Sequence, residues 1–504
     1  MLKFEEIFVL FFRLFILLPL FHFLHNFHKY FFTMYTLSSL ALSTIFLLNI
    51  NTISSLPDGL ALSPPMGFRT WNQFGGKVNQ SLMLQIVDAM VKPITTNMSL
   101  ASLKYTDVGI DDGWQLCDSG ANKGFHNSSG WPNVNTAIFP DLRVFTSYAH
   151  EHNLTAGFYG NNCECADHST LISYFMGDVN NFIYLDFDSY KLDSCGGLQD
   201  IQLYQTLLNQ TSKKRIVIEN CHNGPWLPEA PRKPNSLPWC PFHFYRSSLD
   251  VRADYFSVMG VNLQTIIPLA TEGLSYPGCF AYPDMLEVGV TPGVHAGEVG
   301  LTHIESRSHF AAWSIVSSPL ILGLDVRNIT TVNSVWDIIA NTEMISINQA
   351  WAADSRGYIG PSNVVGPFST NMMVSGSYSG TRIAYSNDTK TFDPCGWYSN
   401  CTIPVYEIWS KPLIMPSKTN GDTSSIAVLF LNHGDTTITT GITLGFDSIP
   451  GLVCPNNNCY VRDIYSHTNL GTFTDNYVFN NIASHDSVYL IISSSPNNLF
   501  GENM

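Results

Sequence analysis

Charge is scarce in this chain. Only 13% of its 504 residues are Asp, Glu, Lys or Arg, and the 25 Lys and Arg are outnumbered by 40 Asp and Glu, for a net charge of -15. No basic run appears. Phosphate contact needs clustered cations, so nucleic acid is excluded as a partner. No P-loop, Rossmann glycine fingerprint or H-E-x-x-H occurs, and the 11 cysteines form no paired C-x-x-C zinc pattern. The reading calls for no cofactor and no metal. No repeat of fixed period is evident.

What the chain does have is apolar content, 45% hydrophobic and 13% aromatic, enough for a large core in two or three domains. Phe8 to Phe23 and Met34 to Ile50 are apolar runs, the second followed by Ser54-Ser55. They read as a secretory signal, with Met34 an alternative start and an uncleaved anchor the competing reading. Residues 1–56 are therefore set aside as a targeting region. Sequons at Asn79, Asn97, Asn127, Asn153, Asn209, Asn328, Asn387 and Asn400 agree with secretion. In an oxidising compartment Cys395/Cys401 and Cys454/Cys459 are natural short-loop pairs. The expected location is secreted or lysosomal/vacuolar.

From residue 57 to 355 short β-rich runs alternate with helical stretches. The strand candidates are 66–71, 105–111, 155–160, 184–193, 215–220, 242–250, 279–286 and 319–326. Helical candidates include 81–90, 142–150, 198–208, 255–267 and 303–315, with a closing helical segment from residue 328. Eight such units predict an α/β fold, a (β/α)8 TIM barrel. Residues 356–404 read as a Gly/Ser/Asn-rich connection or insertion. Residues 405–495 carry short strands and turn signals, the pattern of a C-terminal antiparallel β-sandwich domain.

Barrel chemistry sits at the C-terminal strand ends. Five of the eight strands end there in carboxylates: Asp111-Asp112, Asp193, Glu219, Asp250 and Asp284. A fold has no need of so much like charge in one place. In the run Phe187 to Gly197, Lys191 and Asp193 are two apart and face one side of the strand, with Tyr184, Leu185, Phe187, Tyr190 and Leu192 as its apolar content. Paired carboxylates among aromatics, with no metal or nucleotide motif, point to glycoside hydrolysis. Trp71, Tyr159 and Phe280 offer faces for a sugar ring, and Asp111-Asp112 offers acceptors for vicinal hydroxyls.

In order along the chain, PPMGFRTWNQF, YTDVGIDDGW, GFYGNNC, YKLDSCGG, RSSLDV, PDMLEVG and SHFAAWSIVSSPLILGLDVRNIT resemble glycoside hydrolase family 27, the melibiase-type α-galactosidases and α-N-acetylgalactosaminidases. The likeness covers about residues 60–350 and continues through EIWSKPL, AVLFLNHG and VRDIYSHTNLGTF. It implies a retaining double displacement, with Asp193 as nucleophile and Asp250 as general acid/base. It places Trp71, Asp111, Asp112, Tyr159, Lys191, Arg246 and Asp284 around the sugar. It pairs Cys195 with Cys163 (or Cys165), and Cys221 with Cys240. The expected substrate is an oligosaccharide or glycoconjugate ending in α-D-galactose. A homodimer is the candidate assembly, and no stable membrane association follows unless the N-terminal segment is retained.

The chain departs from the family pattern in three places. Gly113 and Gly75 or Gly76 stand where a pair of cysteines is usual. His222 stands where a glutamate reads the 2-hydroxyl, and Ala281-Tyr282 replaces a W-N pair. The last two keep an α-N-acetylgalactosaminide or a β-L-arabinopyranoside open as substrate. A catalytically silent carbohydrate-binding barrel is the non-enzymatic alternative.

Overall fold

The computed structural model describes residues 59–496 except 121–122, 161–162, 164, 166–169, 223–239, 272–273, 296, 351–378 and 415–423. The targeting region, most of the HNGPW run after His222 and the first half of the 356–404 connection therefore lie outside the described residues.

Eight parallel strands form one sheet: β1 (Met66–Arg69), β2 (Asp107–Gly109), β3 (Thr155–Gly160), β4 (Ser189–Asp193), β5 (Val217–Cys221), β6 (Phe244–Arg246), β7 (Phe280–Tyr282) and β8 (Leu320–Leu322). Neighbours pair in sequence order, and β8 returns to β1. The ring closes just past β7, where Leu286 bridges to Leu322 in parallel and its N–H donates to the Ile321 carbonyl. Every observed strand lies in, or within one residue of, its predicted stretch. The main correction is at 184–193. Tyr184 is the last residue of the helix Ile172–Tyr184 and is exposed; the chain turns at Asp186, with φ of 62°, before β4 begins.

The helix His303–Ile315 starts at a capping box, with Thr302 and Glu305 satisfying each other's backbone N–H. It is buried around nearly its whole circumference, because it lies between the barrel and the C-terminal domain. Ser308 and Ser314 reach across to Ser487 and Tyr489 of the C-terminal strand Ser487–Ser493.

The C-terminal region is antiparallel. Its six-stranded sheet has the order β16 (Thr468–Thr474), β15 (Asn458–Asp463), β18 (Ser487–Ser493), β13 (Ser425–Asn432), β12 (Tyr406–Ile414) and β9 (Thr381–Tyr385). A second layer, β14 (Ile442–Gly445) with β17 (Asn476–Phe479), closes a core of Ile426, Val428, Phe430, Leu444, Phe446, Val461, Phe479 and Leu490. This is the predicted β-sandwich. Two features differ from the expected connection. β9, within 356–404, is a strand of the main sheet. β10 (Thr389–Phe392) and β11 (Cys401–Pro404) form a hairpin of their own, closed by Cys395–Cys401.

A buried ionic cluster joins the two regions. Glu407 of β12 is fully covered and faces Arg382 and His433, while Gln264 from the barrel donates to it at 3.2 Å. Burial raises the Glu407 carboxyl, but His433 and Arg382 outweigh burial and hold its pKa at about 2. The folded value is depressed, so this stabilisation is complete above the unfolded pKa, about 4.3, and is lost as pH falls towards the folded value. Its size is about 3 kcal/mol. Glu407→Gln is expected to lower stability at pH 7 and to flatten its fall below pH 4.5; urea unfolding across that range measures both, and parallel wild-type and variant curves would contradict it.

Candidate active site

Parallel strands start at one mouth of the barrel and end at the other, and alternate residues point inward. On β4 the inward positions are Ser189, Lys191 and Asp193, and each meets a partner at a different depth. Ser189 donates to Asp107 at 2.9 Å. Lys191 Nζ donates to Asp111 Oδ2 at 2.7 Å. Asp193 Oδ2 accepts from the Tyr159 hydroxyl at 2.9 Å. The even spacing seen in the sequence thus becomes a column rising to the C-terminal mouth.

Asp193 is held from several sides. Its Oδ1 accepts from Ser194 N, and its backbone carbonyl accepts from His222 Nε2 at 3.0 Å. Asp111 and Asp112 are both buried; Asp111 N donates to Thr70 Oγ1, and Asp112 Oδ2 accepts from Cys163 N. Arg246, at the end of β6, gathers two more carboxylates: its Nη2 lies 3.0 Å from Asp250 Oδ1 and 2.8 Å from Asp284 Oδ2. Asp250 is the open member, its side chain 46% exposed against 7% for Asp284. Asp284 sits at φ 109°, a strained conformation for a residue with a Cβ. The strain is held by Val251 N and Met285 N donating to its carboxylate and by Trp313 Nε1 donating to its carbonyl. Asp284 therefore ties Arg246 to the loop that carries Asp250.

Trp71 opens the short helix Trp71–Phe74 and packs, half-buried, on Phe244, Phe280, Tyr282, Met285 and Ile321. Two proposed stacking faces need correction. Phe280 is fully buried inside the barrel, and Tyr159 is 1% exposed, its hydroxyl on Asp193 and its ring 5.4 Å from Lys191 Nζ. On β7 only Tyr282 shares the inward face with Phe280; Ala281 lies between them on the opposite face.

Burial raises the Asp193 carboxyl; Lys191 pulls it down, while Asp111 and Asp250 add to the rise, so the net direction is up. Lys191 is largely committed to Asp111 at 2.7 Å, which limits what it offers Asp193. Asp250 is lowered: burial acts upward, but Arg246, Lys191 and the Arg246 hydrogen bond win. The two carboxylates are thus biased opposite to their expected roles. Burial pushes the Cys221 thiol well up, which keeps it protonated and inert.

The bracing differs in part from expectation. Cys163 pairs with Cys195, beside Asp193. Cys117 pairs with Cys165, a bridge the sequence reading did not assign. Cys221 does not pair with Cys240. It is buried and unpaired, 3.4 Å from Arg246 Nη1, and Cys240 bonds Cys279. The reason is polarity. Cys221 ends β5 at the C-terminal mouth, whereas Cys240 and Cys279 precede β6 and β7 at the N-terminal mouth. Where the resemblance led one to expect a pair of cysteines, Gly113 lies against Gly76: a Cβ on Gly113 would stand 2.6 Å from the Gly76 carbonyl oxygen. Sequence reading also missed Arg69, buried between Glu219 (3.2 Å) and Asp107 (3.8 Å) beneath the site; the arginine in an otherwise apolar β1 was the available signal.

Residues 63–350 match the family model described as alpha galactosidase A, and residues 405–492 match the alpha galactosidase C-terminal beta sandwich domain. Alpha-galactosidase 3 of Arabidopsis thaliana is 28% identical over 372 residues, spanning 70% of this chain and 77% of its own. The crystal structure of alpha-galactosidase I from Mortierella vinacea has a TM-score of 0.62 at 22% identity, covering 86% of this chain and 98% of that one. A family 27 β-L-arabinopyranosidase from Geobacillus stearothermophilus, in complex with arabinose, has a TM-score of 0.62 at 14% identity, covering 88% and 100%. These two structures share the fold, while the first model alone spans more than half of the chain. With its barrel and its sandwich both matched, this chain belongs to the melibiase family of glycoside hydrolases, the family of alpha galactosidase A.

Proposed function

We propose that the protein is a retaining exo-glycosidase that removes terminal α-D-galactosyl residues from oligosaccharides or glycoconjugates. The observation that supports this most is the convergence of Asp193 and Asp250 on one mouth, close enough for the Asp250 charge to raise the proton affinity of Asp193, with Lys191 acting on both.

An Asp193 carboxylate oxygen attacks the anomeric carbon as the glycosidic C–O bond breaks, and the leaving oxygen takes the proton from Asp250. Water then attacks the glycosyl-Asp193 ester. Asp250, now the base, takes the proton, and the sugar leaves with its configuration retained. Asp111, Asp112, Lys191 and Arg246 supply the hydroxyl contacts. A hydroxyl that takes over the Arg246 contact releases Asp250 to hold its proton. The carboxylates outnumber the cations here, which suits a transition state with positive charge at the anomeric carbon.

Hydrolysis of p-nitrophenyl α-galactoside followed by NMR tests the reading: α-galactose is expected as the first-formed product, and β-galactose would exclude retention. The reactive form has Asp193 ionised and Asp250 protonated. Activity is therefore lost at low pH as Asp193 takes a proton and at high pH as Asp250 loses its own. Exchanging the two proton affinities leaves both limbs of the bell in place, so the opposite bias makes the reactive form a minority without moving the bell. The optimum of kcat/KM is expected below about pH 6; a profile flat to pH 8 would contradict the assignment.

His222 favours a second reading at the sugar's C2. It stands at the family's glutamate position, and its Nε2 is committed to the Asp193 carbonyl. Aryl glycosides differing at C2 and C5 separate α-galactoside, α-N-acetylgalactosaminide and β-L-arabinopyranoside preference. Five disulfides point to folding in an oxidising compartment. Secretion or lysosomal/vacuolar delivery through the N-terminal segment is our proposed route.

A further inference from the structure

Residues 351–404 fall between the two family matches, and part of that interval reaches the active site. The loop between β10 and β11 carries Trp397, whose indole Nε1 donates to the backbone carbonyl of Asp250 at 2.7 Å. We infer that this hairpin builds a subsite for the leaving group, with Trp397 as the platform for a saccharide ring on the far side of the scissile oxygen. The inference rests on Asp250 as general acid. An acid that protonates the leaving oxygen must lie beside it, so a side chain bonded to the acid's own backbone stands at the leaving-group side. The galactosyl side is deeper, among the buried Asp111, Asp112, Lys191 and Arg246.

Three observations separate a platform from a casual surface aromatic. Trp397 and its neighbour Tyr398 are each 48% exposed, in a loop that is otherwise firmly held. Cys395 and Cys401 close the loop, and Cys395 and Tyr398 exchange backbone hydrogen bonds. The base of the hairpin is buried: Phe392, Cys395 and Ile403 pack on Phe256 and Val261, with the Phe256 and Phe392 rings stacked at 4.3 Å. A Cβ on Gly260 would stand 2.6 Å from Cys401 Sγ, so the disulfide is seated in a notch that only glycine leaves open. The segment from Phe256 to Val261, on which the hairpin is anchored, follows directly from the Asp250 loop, so hairpin and acid are fixed to one frame.

The surroundings suit a sugar. The Arg252 guanidinium lies 5.3 Å from the Trp397 ring centroid, and the His295 ring meets it edgewise at 4.9 Å. Arg252 lies over part of the indole, and the exposed half of Trp397 with these hydrogen-bonding groups beside it matches a pyranose or furanose ring, whose C–H face is apolar and whose edge carries hydroxyls.

The test compares two substrates that both need acid assistance but differ in the leaving group. Methyl α-galactoside releases methanol, which has no ring; an α-galactosyl oligosaccharide releases a sugar. Misplacing Asp250 would slow both, whereas losing a platform slows only the second. For Trp397→Ala the ratio of kcat/KM, oligosaccharide over methyl glycoside, is expected to fall about tenfold. Trp397→Leu, apolar but without a flat face, is expected to fall with it, and Trp397→Phe to stay within about twofold of wild type. An unchanged ratio in the alanine and leucine variants overturns the subsite while leaving the glycosidase reading intact. A wild-type protein that cleaves neither substrate overturns both.

Discussion

Asp193→Ala is expected to lower kcat by about 10⁴-fold or more, with the fold preserved. The reaction needs a carboxylate oxygen at the anomeric carbon, and the groups around Asp193 cannot replace it. Tyr159 is a protonated phenol whose hydroxyl only donates to Asp193, and Cys221 is a buried thiol that burial keeps protonated. The neighbouring Cys163–Cys195 bridge stays in place, so far-ultraviolet circular dichroism should match wild type. Added azide provides a sharper readout. It is small enough to occupy the space of the deleted carboxylate, and attack from that face yields the β-galactosyl azide. Wild-type turnover in Asp193→Ala would end the nucleophile assignment; restored rate with an α-azide would make Asp193 the acid/base, the azide entering from the leaving-group face.

Asp250→Asn should show a loss that depends on the leaving group. An asparagine keeps an acceptor for Arg246, which remains paired with Asp284 at 2.8 Å, so binding is largely spared. What disappears is the proton for the departing oxygen. On alkyl or sugar leaving groups kcat/KM is expected to fall about 10²- to 10⁴-fold. On 2,4-dinitrophenyl α-galactoside, whose leaving group needs no proton, the fall should be no more than about tenfold. A uniform loss across leaving groups would make Asp250 a sugar-binding residue. The half-exposed side chain of Asp250 is consistent with a group that must also deliver water in the second step.

Much of the barrel could be read directly. Two-residue alternation in β4 put Lys191 and Asp193 on one face, and the structure adds Ser189 below them in the same column. The helix predicted at 303–315 is His303–Ile315, because its capping box is local. The pairs Cys395/Cys401 and Cys454/Cys459 were legible from the short loops they close. Trp397 carried a signal that went unread, an aromatic pair inside one of those loops. Cys221 could not be placed from spacing, since its nearness to Cys240 in the chain hides their location at opposite mouths.

Sequence alone determined the order of elements, the residues that end the strands and the family they spell, since these depend on periodicity and on neighbours a few positions apart. Tertiary structure decided which of those ends meet. Arg246 joins Asp250 to Asp284, Lys191 turns to Asp111, and a hairpin 147 residues further on binds the Asp250 carbonyl. It also decided the proton affinities, because burial depth and the distance to the next charge exist only once the barrel has closed.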